Sequence, residues 1–172
     1  MKQTPIEVRL AGKGPIFADG QLHVTYTVTN ASREPVHLVD VPPECCIERV
    51  VTPNACAAPE ATLNFCCAET PLEPNMGAYM FAEPAYAILE PGASVEAEAV
   101  TELPIYKEDV DLSGDIEFFE VPLPNVLSVA VSIGFIVRPF DVDEGETRVR
   151  DAFLRHQEIA RSNEARIEWV ND

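Results

Sequence analysis

Gln21-Leu22-His23-Val24-Thr25-Tyr26-Thr27-Val28-Thr29 is the most regular segment of this sequence. Aliphatic or aromatic side chains occupy its even positions, and glutamine, histidine or threonine occupy its odd positions. A period of two places successive side chains on opposite faces of an extended chain. The segment therefore predicts a strand with one buried and one polar face, which the turn formers Asn30-Ala31-Ser32 bring to an end.

Short segments of the same kind recur along the chain between prolines, which number 15, about twice the usual frequency. Glu90-Pro91-Gly92-Ala93 predicts a type II turn, because Pro91 fixes φ at the first central position and Gly92 supplies a positive φ at the second. Many short strands without alternating helices predict one antiparallel β-sandwich. The further predicted strands are Ile6 to Leu10, Val36 to Asp40, Cys45 to Val51, Leu63 to Cys67, Tyr79 to Leu89, Ser94 to Glu102 and Leu127 to Val137.

The last part of the chain has a different composition. Helix formers dominate from Thr147 to Ala165, and acidic residues precede basic ones at i,i+4 spacing, which predicts one helix. The apolar stripe of this helix would consist of Val149, Phe153, His156 and Ala160.

Two sequences within the first hundred residues resemble bacterial immunoglobulin-like domains, including the small intracellular proteinase inhibitor type. They are Tyr-Thr-Val-Thr-Asn-Ala-Ser-Arg-Glu-Pro-Val-His-Leu at 26–38 and Leu-Glu-Pro-Gly-Ala-Ser at 89–94. The resemblance implies an immunoglobulin-like architecture and assigns no functional residue. The long insert from Val41 to Asn75 and the tail depart from the family pattern.

The predicted fold class is therefore all-β, an antiparallel immunoglobulin-like β-sandwich with one C-terminal helix. The sandwich domain spans residues 1–146 and contains the insert at 41–75, and the helical tail at 147–172 packs on the domain or on a second subunit. Five of the 12 basic residues lie in this tail, whereas Glu83 to Glu120 holds eleven acidic residues and only Lys107. Both blocks are expected to be solvated surface or to contact each other, within one chain or between two.

The charge of the chain excludes two classes of partner. The 172 residues include 29 acidic and 12 basic side chains, which gives a net charge of -17. A field of that sign repels nucleic-acid phosphates and anionic membranes. Met1 to Glu7 lacks the apolar stretch of a secretory signal, and the apolar run Val126 to Val137 is too short to span a bilayer. We expect a cytoplasmic protein that binds neither nucleic acid nor membrane.

Five cysteines form a symmetric pattern, with two adjacent pairs on either side of a central one: Cys45, Cys46, Cys56, Cys66 and Cys67. An antiparallel hairpin centred on Cys56 would bring Cys45 opposite Cys67 on a buried face and Cys46 opposite Cys66 on the other face. Adjacent rungs of such a ladder alternate between wide and close spacing, so at most one of these pairs suits a disulfide.

Three interpretations of this thiol cluster are open: free thiols, a disulfide or redox pair, and a thiolate metal site. The cluster contains no Cys-x-x-Cys motif and no histidine, which weakens the metal interpretation. Met76 and Met80 would supply further soft ligands for Cu(I), or they are core or loop methionines.

The acidic segment from Asp109 to Glu120 resembles the calcium loop of EF-hand proteins. It has oxygen-bearing side chains at positions one, three and five, glycine at six, an apolar residue at eight and glutamate at twelve. Pro104, Pro122 and Pro124 lie where the flanking helices would run, so the alternatives are a helix-free calcium loop or an acidic loop with a buried phenylalanine. By this resemblance the calcium ligands would be Asp109, Asp111, Ser113, the carbonyl of Asp115, Glu117 and Glu120.

The sequence marks no catalytic site. His23, His37 and His156 have no motif around them, and nucleophile, zinc-protease, phosphate-loop and dinucleotide motifs are absent. We therefore expect no catalytic residue and no cofactor other than calcium. The favoured function is a non-enzymatic module, an adaptor or inhibitor, that binds a protein partner or a second copy through the insert and the tail. The alternatives are a calcium-binding domain and a thiol-based redox or metal protein.

Overall fold

The computed structural model of the chain describes residues 5–12, 14–40, 42–51, 60–69, 85–110, 116–121, 123–124, 126–137 and 153–168. This part of the chain contains thirteen strands and one helical turn at residues 153–156, which confirms the all-β class. No helix within these ranges is long and apolar enough to cross a membrane. The strands are β1 Ile6–Leu10, β2 Ile16–Ala18, β3 Gln21–Asn30, β4 Val36–Asp40, β5 Glu44–Val51, β6 Glu60–Cys67, β7 Ala85–Leu89, β8 Ser94–Glu102, β9 Tyr106–Val110, β10 Ile116–Glu120, β11 Val126–Ile136, β12 Glu158–Arg161 and β13 Ala165–Glu168.

The first sheet is built around β3, whose predicted alternation is confirmed. Leu22, Val24, Tyr26 and Val28 are buried, and the residues between them are partly exposed. β8 pairs antiparallel with one edge of β3 along nearly its whole length. β1 and β2 pair antiparallel with the other edge, so β3 is the central strand of this sheet.

Two turns dock against each other at one end of the first sheet. Ala93 N donates to Glu90 O at 3.0 Å and Gly92 has a φ of 75°, which confirms the predicted type II turn. Asn30 N donates to Ala93 O at 3.0 Å, and Gly92 N donates to Asn30 O at 2.9 Å. The turn that ends β3 is therefore fixed to the turn that precedes β8.

The second sheet is built around β11. β6 pairs with one edge of β11, β5 lies beyond β6, and β4 and β7 extend the sheet from the end of β11. The β6–β11 pair is parallel, so the prediction of a purely antiparallel arrangement is wrong at this point. Leu63 and Phe65 of β6 are fully buried. Strands of the predicted insert are therefore part of the core.

The predicted tail helix is wrong from residue 157 onward, and its first residues, 147–152, lie outside the described residues. Residues 158–168 form β12 and β13, which pair antiparallel with the second edge of β11. Intrinsic helix propensity contributes little free energy per residue. Pairing with β11, which is 11 residues long, satisfies the backbone hydrogen-bonding groups along its edge and therefore outweighs that propensity. Ser162 joins the two strands, because its N–H donates to Val131 O at 2.9 Å and its Oγ accepts from Val131 N at 3.0 Å. Phe153, which belongs to the helical turn, is fully buried and stacks on Tyr86.

Both sheets contribute to one hydrophobic cluster, which includes Val24 and Tyr26 of the first sheet and Phe65 and Phe135 of the second. Burial raises the pKa of Tyr26 to about 12, with smaller contributions from Cys67 and Asp40 of the second sheet. β9 and β10 form a separate two-stranded antiparallel hairpin.

Candidate functional site

A cleft of about 630 Å³ lies between β1 of the first sheet and β12 of the second. This volume is within the range of ligand-binding pockets, about 300 to 1,000 Å³. The two strands are linked at one end of the cleft, because Leu10 N donates to Asn163 Oδ1 at 3.3 Å. The cleft is lined by Ile6, Glu7, Val8, Arg9, Ala31, Ile159, Ala160, Arg161 and Asn163.

The backbone of β1 presents hydrogen-bonding groups to this cleft. Ala31 N donates to Pro5 O at 2.8 Å, and Ala11 N donates to Thr25 O at 2.9 Å, so the odd residues of β1 bond to β3. Backbone groups alternate between the two edges of an antiparallel strand. The N–H and C=O groups of Ile6 and Val8 therefore point away from β3 and into the cleft.

The backbone of β12 presents groups from the opposite wall. Ser162 N bonds to Val131 O, and the ladder continues with Ala160 opposite Ile133. The same alternation directs the N–H and C=O groups of Ile159 and Arg161 away from β11 and toward β1. Within the described part of the chain, the cleft thus has a strand edge on each side that no other strand pairs with. The side chain of Ile159 adds an apolar surface, since 50% of the residue is exposed.

Arg161 fixes the position of β12 on the second sheet. Its guanidinium makes a bidentate ion pair with Glu48, with Nη1 to Oε1 at 2.9 Å and Nη2 to Oε2 at 2.6 Å. Glu48 is the extra residue of a bulge in β5, and its side chain meets an arginine three strands away. Ser132 and Asn64 on the intervening strands are buried, and Ser132 Oγ donates to Asn64 Oδ1 at 2.9 Å.

The basic residues of the tail do not pair with the acidic block at 83–120 within the described ranges. Arg161 contacts Glu48 and Glu164, and Arg166 contacts Glu60 at 2.8 Å. Within the described part of one chain these two arginines therefore do not contact the acidic block, and a contact between two chains stays a prediction.

The thiol cluster lies at the other side of the second sheet, with a register two residues from the predicted one. Cys45 is opposite Phe65 and Cys46 is opposite Asn64. A shift of two preserves the faces, so Cys67 is buried in the core as expected and Cys46 is exposed. Cys46 and Cys66 become diagonal neighbours about 7 to 8 Å apart, which is too far for an unstrained disulfide. None of the four described cysteines forms a disulfide, and Cys56 lies outside the described residues.

Each of the three described thiols nearest the surface has a raised pKa. Burial raises the pKa of Cys45 to about 11, although a hydrogen bond with Thr101 opposes the shift. Burial also raises the pKa of Cys46 and Cys66, and neighbouring carboxylates add to both shifts. Thiols of this kind are poor nucleophiles at neutral pH. A redox function for the cluster therefore stays a prediction without support from these pKa shifts.

Replacing Glu48 with glutamine should make Cys46 more reactive. Burial and the carboxylates of Glu48 and Glu44 raise the pKa of Cys46, and Arg161 lowers it, so the variant removes one of the raising effects and keeps the lowering one. We expect alkylation of Cys46 by iodoacetamide at pH 8 to accelerate by roughly threefold, since the thiolate is the reacting form. The rate is measured by mass spectrometry of the Cys46 peptide. Glu44→Gln is the matched control with the smaller expected effect, and equal rates in both variants would contradict the assignment.

The calcium interpretation falls largely outside the described residues. Asp111, Ser113 and Asp115 are not described, whereas Asp109 and Glu117 are paired Cα partners in the β9–β10 hairpin and Glu120 is paired with Tyr106. Strands rather than helices flank the segment, as the prolines indicated. The described ranges contain no group of three or more His, Cys, Asp or Glu side chains arranged to hold a metal ion. Calcium binding by residues 109–120 stays a prediction.

The three histidines lie apart from the cleft lining. His23 Nδ1 is 3.1 Å from Glu98 Oε1 on the outer face of the first sheet. His37 is buried on β4, where burial lowers its pKa, and His156 is exposed in the helical turn.

Comparison with known proteins returned no match among protein families, curated proteins or solved structures. The site therefore has to be interpreted from its own chemistry. Sequence reasoning missed β12 and with it Ile159, Arg161 and Asn163. The pair Ser162-Asn163 was the available signal, because both residues favour turns over helix interiors.

Proposed function

We propose that this chain is a non-enzymatic protein-binding module that takes up an extended segment of a partner protein in the β1–β12 cleft. The observation that carries the proposal is the orientation of the backbone groups of Ile6, Val8, Ile159 and Arg161 into one cleft. Free strand edges bind extended peptides through main-chain hydrogen bonds. The module would act as an adaptor or as an inhibitor, depending on the partner.

The occupant we propose is a segment with apolar residues at alternate positions. Such a segment would cover the exposed side chain of Ile159 and the small residue Ala31 while its backbone pairs with both walls. The net charge of -17 favours a protein partner over nucleic acid or a membrane. The shared core of the two sheets supports an immunoglobulin-like sandwich, and the free thiols support a cytoplasmic setting.

Ile159→Pro should abolish peptide capture without unfolding the protein. Its N–H points into the cleft, so proline removes a donor for the partner and no ladder bond to β11. Peptides selected from a displayed random library on the wild-type protein should bind this variant at least about tenfold more weakly. Ile159→Val, which keeps the N–H and most of the apolar surface, should bind within about twofold of the wild type.

The affinities are measured by isothermal titration calorimetry, and the fold of each variant is checked by its melting temperature. Amide hydrogen exchange on the wild-type complex should show new protection at Ile6, Val8, Ile159 and Arg161. Equal binding by Ile159→Pro, or selected peptides that protect none of these amides, would reject the cleft as the binding site.

A further inference from the structure

The second edge of the first sheet is also free within the described part of the chain. Asn30 N bonds to Ala93 O and Leu103 N bonds to Gly20 O, so the odd residues of this segment bond to β3. The even residues of β8 therefore direct their N–H and C=O groups to the outer edge. No described strand pairs with that edge. β8 is nine residues long, which gives an extended row of donors and acceptors that no described strand occupies, although Glu102 O accepts from Thr101 Oγ1 at 3.5 Å.

The side chains of the same even residues give this edge a strong negative charge. Glu96, Glu98 and Glu102 lie on the outer face of the sheet, opposite Thr27, Thr25 and Gln21 of β3. Glu98 contacts His23, whereas Glu96 and Glu102 have no ion-pair partner among the described residues. On the inner face Val95 is 43% exposed although its neighbour Val28 on β3 is buried.

We infer that the free edge of β8 binds a basic extended segment of a second partner protein, with lysine or arginine at every second position. A strand added to β8 would place its residues opposite Glu96, Glu98 and Glu102 at cross-strand distances of about 4.5 to 5.5 Å. Basic side chains at those positions would neutralise the carboxylates. The residues between them would face inward, where an apolar side chain covers Val95.

Charge excludes the alternative of a second copy of this chain at the same edge. Two β8 strands would bring like charges together along the ladder, which is a common way for proteins to prevent edge pairing. Because of its negative charge, this edge disfavours pairing with a second copy of β8 and favours pairing with a basic strand. It lies across β3 from the cleft, so both sites can be occupied at once, as an adaptor requires. This inference does not depend on the proposed use of the cleft.

The test uses the full chain and a synthetic peptide of nine residues, the length of β8, in which lysine alternates with valine or threonine. The control peptide has the same composition with its lysines grouped at one end. We expect fluorescence anisotropy to show binding of the alternating peptide that weakens as salt is raised, and at least about tenfold weaker binding of the grouped peptide.

Two variants separate backbone pairing from charge. Val100→Pro removes an outward N–H and no bond to β3, and should weaken binding by about tenfold. Glu96→Gln combined with Glu102→Gln should weaken it by about three- to tenfold. Ile159→Pro in the cleft should leave binding unchanged. The inference would be overturned if both peptides bound equally or if Val100→Pro bound as tightly as the wild type. It would also be overturned if Ile159→Pro lost binding, because that result would place the peptide in the cleft.

Discussion

Replacing Asn30 with alanine should lower the free energy of unfolding by about 3 to 5 kcal/mol. Asn30 is fully buried, and its Nδ2 donates to Glu34 O and to Leu89 O, both at 2.8 Å. Its Oδ1 accepts from Ser32 N at 2.9 Å and from Ser32 Oγ at 2.7 Å. Alanine would remove all four bonds and leave polar groups in a buried place without partners, which costs more than the bonds alone.

Urea unfolding followed by circular dichroism measures this effect, with the m-value showing whether the unfolding transition is unchanged. Ser32→Ala is the matched control. It removes one hydroxyl from the same network at a more exposed position, and should cost only about 1 kcal/mol. If the two variants lost similar stability, the side-chain bonds of Asn30 would add little to the main-chain bonds that join the two turns.

Gly134→Ala should lower the free energy of unfolding by about 2 kcal/mol and loosen β12. A β-carbon at this position would lie 2.6 Å from Gln157 Oε1 and 3.0 Å from Ala68 Cβ. Gln157 cannot simply move aside, because its Oε1 accepts from Glu69 N at 3.1 Å and its Nε2 donates to Glu69 O. Displacing Gln157 would shift the residue that directly precedes β12.

Gly12→Ala is the control for this prediction, since a β-carbon there has no neighbour within 4 Å. It should change stability by less than about 0.5 kcal/mol. A local readout is hydrogen exchange at the amide of Ala160, which the alternation of the ladder directs to β11 and which should exchange faster in Gly134→Ala. Wild-type exchange at Ala160 together with unchanged stability would show that the sheet accommodates the methyl group without moving Gln157.

The sequence predicts well those strands in which apolar and polar side chains alternate, because this pattern alone indicates which face is buried. The alternation of β3 and the turn at Pro91 and Gly92 depend on neighbours along the chain, and both agree with the structure. β12 and β13 do not show such a signal, because Glu-Ile-Ala-Arg and Ala-Arg-Ile-Glu are compatible with a helix until β11 offers an edge. Tertiary pairing decides their conformation.

The candidate site could not be predicted for a related reason. The register of each strand with its partner decides which backbone groups of β1 and β12 face the cleft. Composition and residue spacing do not determine that register. The cysteines illustrate the limit, since the symmetric spacing indicated a hairpin correctly and placed it two residues out of register. The bulge at Glu48 accompanies this shift, and the same glutamate pairs with Arg161.

The parallel pairing of β6 with β11 determines when the second sheet can form during synthesis of the chain. Parallel neighbours cannot be joined by a tight turn, so β6 has no long partner on that edge until the ribosome has synthesised β11. Contacts between residues as distant in sequence as Glu60 and Val126 also make folding slow. During translation the edges of β4 and β6 are therefore exposed, which is when edge-to-edge aggregation is most probable. Chaperone demand should be greatest in this interval, and it ends only when the C-terminal strands have emerged and covered β11.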